Sequence, residues 1–117
     1  MEFSVELAKL YKAVALDRLG GDEELLQEVA ELFLEEYPPL MAQIRSAIDS
    51  GNSQELERSA HSLKGSVANF GSDLAWQAAL NLESMGRAGD LDGSLEAYKH
   101  LEQIMDAIHP QLVALAS

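Results

Sequence analysis

The sequence contains no cysteine, which excludes disulfides, thiol nucleophiles and cysteine-ligated zinc. Basic residues are scarce: 8 Lys and Arg stand against 20 Asp and Glu, for a net charge of −12. Such a surface repels phosphate backbones and anionic headgroups, so neither nucleic acid nor a membrane surface is an expected partner. No apolar run approaches the ~18 residues that span a bilayer. No charged segment followed by an apolar stretch opens the sequence in the manner of a secretion signal. A cytoplasmic protein is the expectation. Alternating β-branched stretches of strand length are also missing, and glycine and proline fall as punctuation between helical patterns. With 117 residues, 47% of them apolar, the chain suffices for one folded domain spanning 1–117, with its core at about 15–115.

What is present reads as helix throughout. A segment from Val5 to Leu19 carries Leu7, Leu10, Val14 and Leu16 and stops at Gly20-Gly21. Asp22 is a good N-cap, followed by Glu23 and Glu24 where the helix dipole favours anions. The next helix is expected to bury Leu25, Leu26, Val29, Leu32 and Phe33 and to end at Pro38-Pro39, because a residue before proline is pushed out of helical geometry. A new helix would start near Leu40, bury Ile44, Ala47 and Ile48, and close at Gly51. Asn52 with Glu55 makes a capping-box-like start for the following helix. Gly71 closes that one and Ser72 caps its successor, which points Leu74, Ala78, Leu82 and Met85 inward and ends near Gly86 to Gly89. A last helix is expected from Asp90, carrying Leu91, Leu95, Tyr98, Leu101, Met105 and Ile108, with a kink or break at Pro110. Short connections between helices of this length imply antiparallel neighbours. The expected fold is all-α: an antiparallel up-down four-helix bundle, its helices starting near Leu40, Ser53, Ser72 and Asp90, with additional short N-terminal helices. All apolar stripes are used within one bundle, so a monomer is expected.

The most informative stretch is His61-Ser62-Leu63-Lys64-Gly65-Ser66-Val67-Ala68-Asn69-Phe70-Gly71. Leu56, Ala60, Leu63, Val67 and Phe70 form one apolar stripe, and Leu63 points about 200° away from His61 at 100° per residue. With that stripe in the core, the imidazole faces water. Lys64, Gly65 and Ala68 share its face at i+3, i+4 and i+7. Imidazole is a nucleophile in its neutral form. A neighbouring ammonium and a glycine without side-chain bulk suit a nucleophile that must carry an anion and be approached closely by a partner. Gly65 costs about 1 kcal/mol of helix stability relative to alanine, and close approach is a physical reason for it. His100 and His109 lack metal-ligand spacing and read as solvated, and Trp76 and Tyr98 read as packing or edge residues.

His-x-Leu-Lys-Gly followed by small residues and Phe-Gly resembles the signature of histidine-containing phosphotransfer (HPt) domains, and the resemblance extends over most of the chain in helix order and spacing. It implies a phosphocarrier with His61 as phospho-acceptor and Lys64 stabilising the phosphate. The partners it implies are a response-regulator receiver domain and a histidine kinase or hybrid sensor kinase. No cofactor is expected on this chain; Mg²⁺ and the aspartate would come from the receiver. Nothing resembles a nucleotide-binding glycine-rich loop, so the chain is not expected to be a kinase or to have an ATP site. Partner docking is expected on the His61 face, at Gly65, Ser62 and Ala68, with Phe70 and neighbouring helices as further candidates.

Because the turn at Gly71 reverses the chain, residues near 81–84 lie across from His61. Glu83 is there, a candidate to accept from one ring N–H and leave the other nitrogen to attack. Relay-type members of the family usually have glutamine at that point and chemotaxis-kinase members have glutamate, so the resemblance leaves the subfamily open. Glu83 as a plain surface charge is the alternative reading. Two other readings of the whole chain stand beside the phosphocarrier: a helical interaction module that binds without phosphorylation, and a small enzyme using His61 and Glu83 as an acid–base pair.

Overall fold

The computed structural model describes residues 10–117, so expectations for Val5, Leu7 and the first residues lie outside the described part. Among the described residues there are five α-helices and no strand: α1 (Lys12–Arg18), α2 (Glu23–Ser50), α3 (Ser53–Val67), α4 (Asp73–Ala88) and α5 (Ser94–Ala116). A 3₁₀ turn, Ala68–Phe70, prolongs α3. Helix α3 packs most extensively on α4, α2 packs on α3 and α5, and α4 on α5, with α1 laid against the 3₁₀ turn and α2. None of these helices is long and apolar enough to cross a membrane.

The helix starts follow from capping chemistry. Asp22 accepts from Leu25 N at 3.0 Å, Asn52 from Glu55 N at 3.1 Å and Ser72 from Ala75 N at 3.4 Å, each satisfying an orphan amide of a first turn. Only half of the capping box at Asn52 forms. The Glu55 carboxylate turns to Arg58 and Ser59, and Asn52 N donates to Ala47 O.

Three boundaries differ from expectation. Pro38 and Pro39 lie inside α2, which runs unbroken for 28 residues. The buried residues Leu26, Ala30, Phe33, Tyr37, Met41, Ile44 and Ala47 form one stripe across the prolines, so tertiary packing holds the helix together. Both prolines lie on the exposed side, where water reaches the carbonyls that lose their amide partners. Pro110 is likewise exposed, and α5 continues past it to bury Leu112. The last helix begins at Ser94, four residues later than expected. The Asp90 side chain accepts from Asp92 N in a local turn, and Gly93 holds φ at 80°, outside helical geometry.

The core stripe of α3 is buried as expected: Leu56, Ala60, Leu63, Val67 and Phe70 are all at or below 1% exposure. On α2 the helix phase favours Leu26, Ala30 and Phe33, which leaves Leu25 and Leu32 exposed and Val29 half-buried. On α4 the inward face also includes Ala75, Ala79, Glu83 and Gly86, while Leu74 and Met85 are half-buried. Small residues there let two helix backbones approach. A Cβ on Gly86 would lie 2.5 Å from Glu57 N and 2.7 Å from Ser53 O, so Gly86 marks a close backbone approach of α3 and α4, and the helix ends two residues later at Ala88, capped by Gly89.

Candidate functional site

His61 sits on the outer face of α3, opposite Leu63, and its side chain is 67% exposed. Across from it, α4 carries Glu83, whose side chain is only 2% exposed. His61 Nδ1 lies 3.1 Å from Glu83 Oε2. Arg87, one turn further along α4, donates from Nη2 to the same oxygen at 2.7 Å and from Nε to Glu57 Oε2 at 2.9 Å. Lys64 Nζ lies 2.7 Å from Glu83 Oε1.

A buried carboxylate is costly unless charge and hydrogen bonds compensate it. Burial pushes the Glu83 carboxyl up, but the Lys64 and His61 contacts outweigh it and hold the group below its ordinary value. Glu83 is therefore ionised near neutral pH and only accepts hydrogen bonds. The proton in the 3.1 Å contact belongs to His61 Nδ1, which leaves a lone pair on Nε2 of the neutral ring. Nε2 has no partner among the described residues. The arrangement is an exposed nucleophilic nitrogen whose tautomer is fixed from behind by a buried, charge-compensated acceptor.

A family model for the Hpt domain matches residues 28–111. The chain belongs to the Hpt domain family. No curated protein and no solved structure matches it significantly. The Hpt match runs from the first turns of α2 to most of α5, and α1 precedes it. Hpt membership implies histidine phosphotransfer in two-component signalling, and Hpt domains are phosphocarriers rather than classical enzymes.

On the Hpt face, Gly65 and Ser62 are exposed and Ala68 is half-buried. A Cβ on Gly65 would meet nothing within 4 Å, so no neighbouring helix requires this glycine. Phe70 is a correction: it is 1% exposed and stacked on Phe33 at 5.2 Å, part of the core and unavailable for docking. His109, read as solvated, is hydrogen-bonded through Nδ1 to the Tyr37 hydroxyl at 2.6 Å. Among the described residues no cluster of three or more His, Asp or Glu is placed to hold a metal ion.

The sequence sets Trp76 and Arg87 on the same flank of α4 as Glu83 but assigns neither a role at the site. Arg87 was visible in principle, since i, i+4 Glu–Arg spacing on one helix is a pairing signal. Trp76, whose ring centroid lies 5.5 Å from Lys64 Nζ, carries no such signal, because the contact joins two helices.

Proposed function

We propose that this Hpt domain accepts a phosphoryl group on His61 and passes it on. The donor would be a receiver-domain aspartyl phosphate or a histidine kinase, and the acceptor a receiver-domain aspartate. The observation that carries the reading is the exposed His61 ring held through Nδ1 by buried, ionised Glu83. Nε2 attacks phosphorus, the N–P bond forms, and the P–O bond to the donor aspartate breaks with its electron pair leaving on the carboxylate. The Nδ1 proton stays on the ring throughout. The positive charge that develops on the imidazole faces Glu83, and Lys64 supplies an ammonium to the phosphoryl oxygens. Gly65, Ser62 and Ala68 form the low-profile surface on which the partner rests, and the partner brings Mg²⁺ and the aspartate.

The same reading takes α2 to α5 as an up-down antiparallel four-helix bundle, with α1 an additional N-terminal helix, in one monomeric cytoplasmic domain. Short connections capped by left-handed glycines at Gly51, Gly71 and Gly89 support that topology. The role of Glu83 is tested by Glu83→Ala. Removing a hydrogen bond to a charged group should slow uptake from a phosphorylated receiver by about 10- to 100-fold, and a wild-type rate would remove Glu83 from the mechanism.

A further inference from the structure

The three groups on the Glu83 carboxylate are not equivalent. Arg87 is tied at both ends, to Glu83 Oε2 and to Glu57. His61 shares Oε2. Oε1 has no hydrogen bond of regular geometry, only the Lys64 ammonium 2.7 Å away. That ammonium also lies 5.5 Å from the centroid of the Trp76 ring, and the Lys64 side chain is 18% exposed. Trp76 precedes Glu83 by two turns of α4, so both partners of Lys64 come from one helix. A cation this close to an indole is attracted by the ring quadrupole.

We propose that Trp76 is a positioning residue for Lys64, holding the ammonium within reach of the phosphoryl group on His61 when Lys64 leaves Glu83. The inference rests on the reading of His61 as phospho-acceptor. A phosphoryl group adds negative charge beside Lys64. When Lys64 departs, Glu83 keeps Arg87 and the ring N–H on Oε2, so its charge stays compensated on that side, while Arg87 remains tied to Glu57. A lysine stem has many rotamers, and ordering it costs entropy. The indole restricts that search before the phosphoryl group arrives.

The test combines the proton NMR shift of the Lys64 ε-methylene with transfer rates from a phosphorylated receiver domain in Trp76→Phe and Trp76→Leu. The ε-methylene should show an upfield ring-current shift in wild type and in Trp76→Phe that disappears in Trp76→Leu. The rate of phosphoryl uptake should fall by about two- to tenfold in Trp76→Leu and by less than about twofold in Trp76→Phe, as loss or retention of a cation–π contact implies. A wild-type rate in Trp76→Leu, an equal loss in both variants, or an unchanged Lys64 shift in Trp76→Leu overturns the proposal. A wild-type protein that takes up no phosphoryl group from any donor overturns the phospho-acceptor reading and the positioning role with it. Wild-type labelling with an unaffected Trp76→Leu rate overturns the positioning role alone.

Discussion

Gly65 and Gly86 both lie inside helices, where glycine costs about 1 kcal/mol relative to alanine, yet their surroundings are opposite. A side chain on Gly65 would project into open space, while one on Gly86 would collide with the backbone of α3 at Glu57 and Ser53. One glycine faces outward beside His61, and the other lets α4 press against α3. Glu83 precedes Gly86 by three residues, so the tight contact there brings the Glu83 carboxylate within 3.1 Å of the ring. The same residue type serves reactivity in one place by leaving room and in the other by removing it.

The largest effect is expected where that closeness is removed. Gly86→Ala forces the two helices apart and should destabilise the fold by about 1–3 kcal/mol, as overpacking does, despite alanine's better helix propensity. Urea denaturation measures it, and a more stable Gly86→Ala protein would contradict the close-contact account.

Gly65→Ala should do the reverse, gaining up to about 1 kcal/mol of stability while slowing phosphoryl transfer. An added methyl that displaces the partner by a fraction of an ångström to an ångström should cost on the order of ten- to a hundredfold in rate. Equal transfer rates in Gly65→Ala and wild type would show that the bare patch is not where the partner sits.

The smallest effect concerns pH. The folded Glu83 carboxyl titrates below its ordinary value of 4.5. Its ionised form therefore contributes stability that is fully present above that value and is lost as pH falls through the folded one. Glu83→Gln lacks this contribution. The stability advantage of wild type over Glu83→Gln, read from urea midpoints, should shrink as pH falls below 4.5. A difference independent of pH would mean that Glu83 is not held ionised.

The legibility of the chain followed the range of the interactions. Capping by Asp22, Asn52 and Ser72 is local, and each side chain bonds an amide three residues on. The α3 stripe was equally plain because large apolar residues mark it. Counting back from the turn at Gly71 placed residues 81–84 opposite His61, and the structure puts Glu83 there. The rest depended on what lies across a helix interface. Pro38 and Pro39 looked like a stop because the local penalty was visible, while the stripe from Phe33 through Tyr37 to Met41 that overrides it is a tertiary effect. Of the α4 alanines the sequence points Ala78 inward, while Ala75 and Ala79, fully buried in the structure, carry no separate apolar signal. Gly86 was visible as a glycine, but the backbone it meets was not. Phe70 fits both the core stripe and the docking face by sequence, and its stacking on Phe33, a contact between helices, decides for the core.

The central claim is that His61 carries the phosphoryl group. The most direct measurement mixes the protein with phosphorylated receiver domains and follows label onto wild type and His61→Gln. Acid-labile, alkali-stable label on wild type, with none on His61→Gln, is the predicted result. Label of equal amount on both proteins would contradict it. So would no label on either from any receiver or histidine kinase while circular dichroism shows the helices intact, and that outcome would favour a helical module that binds without phosphorylation.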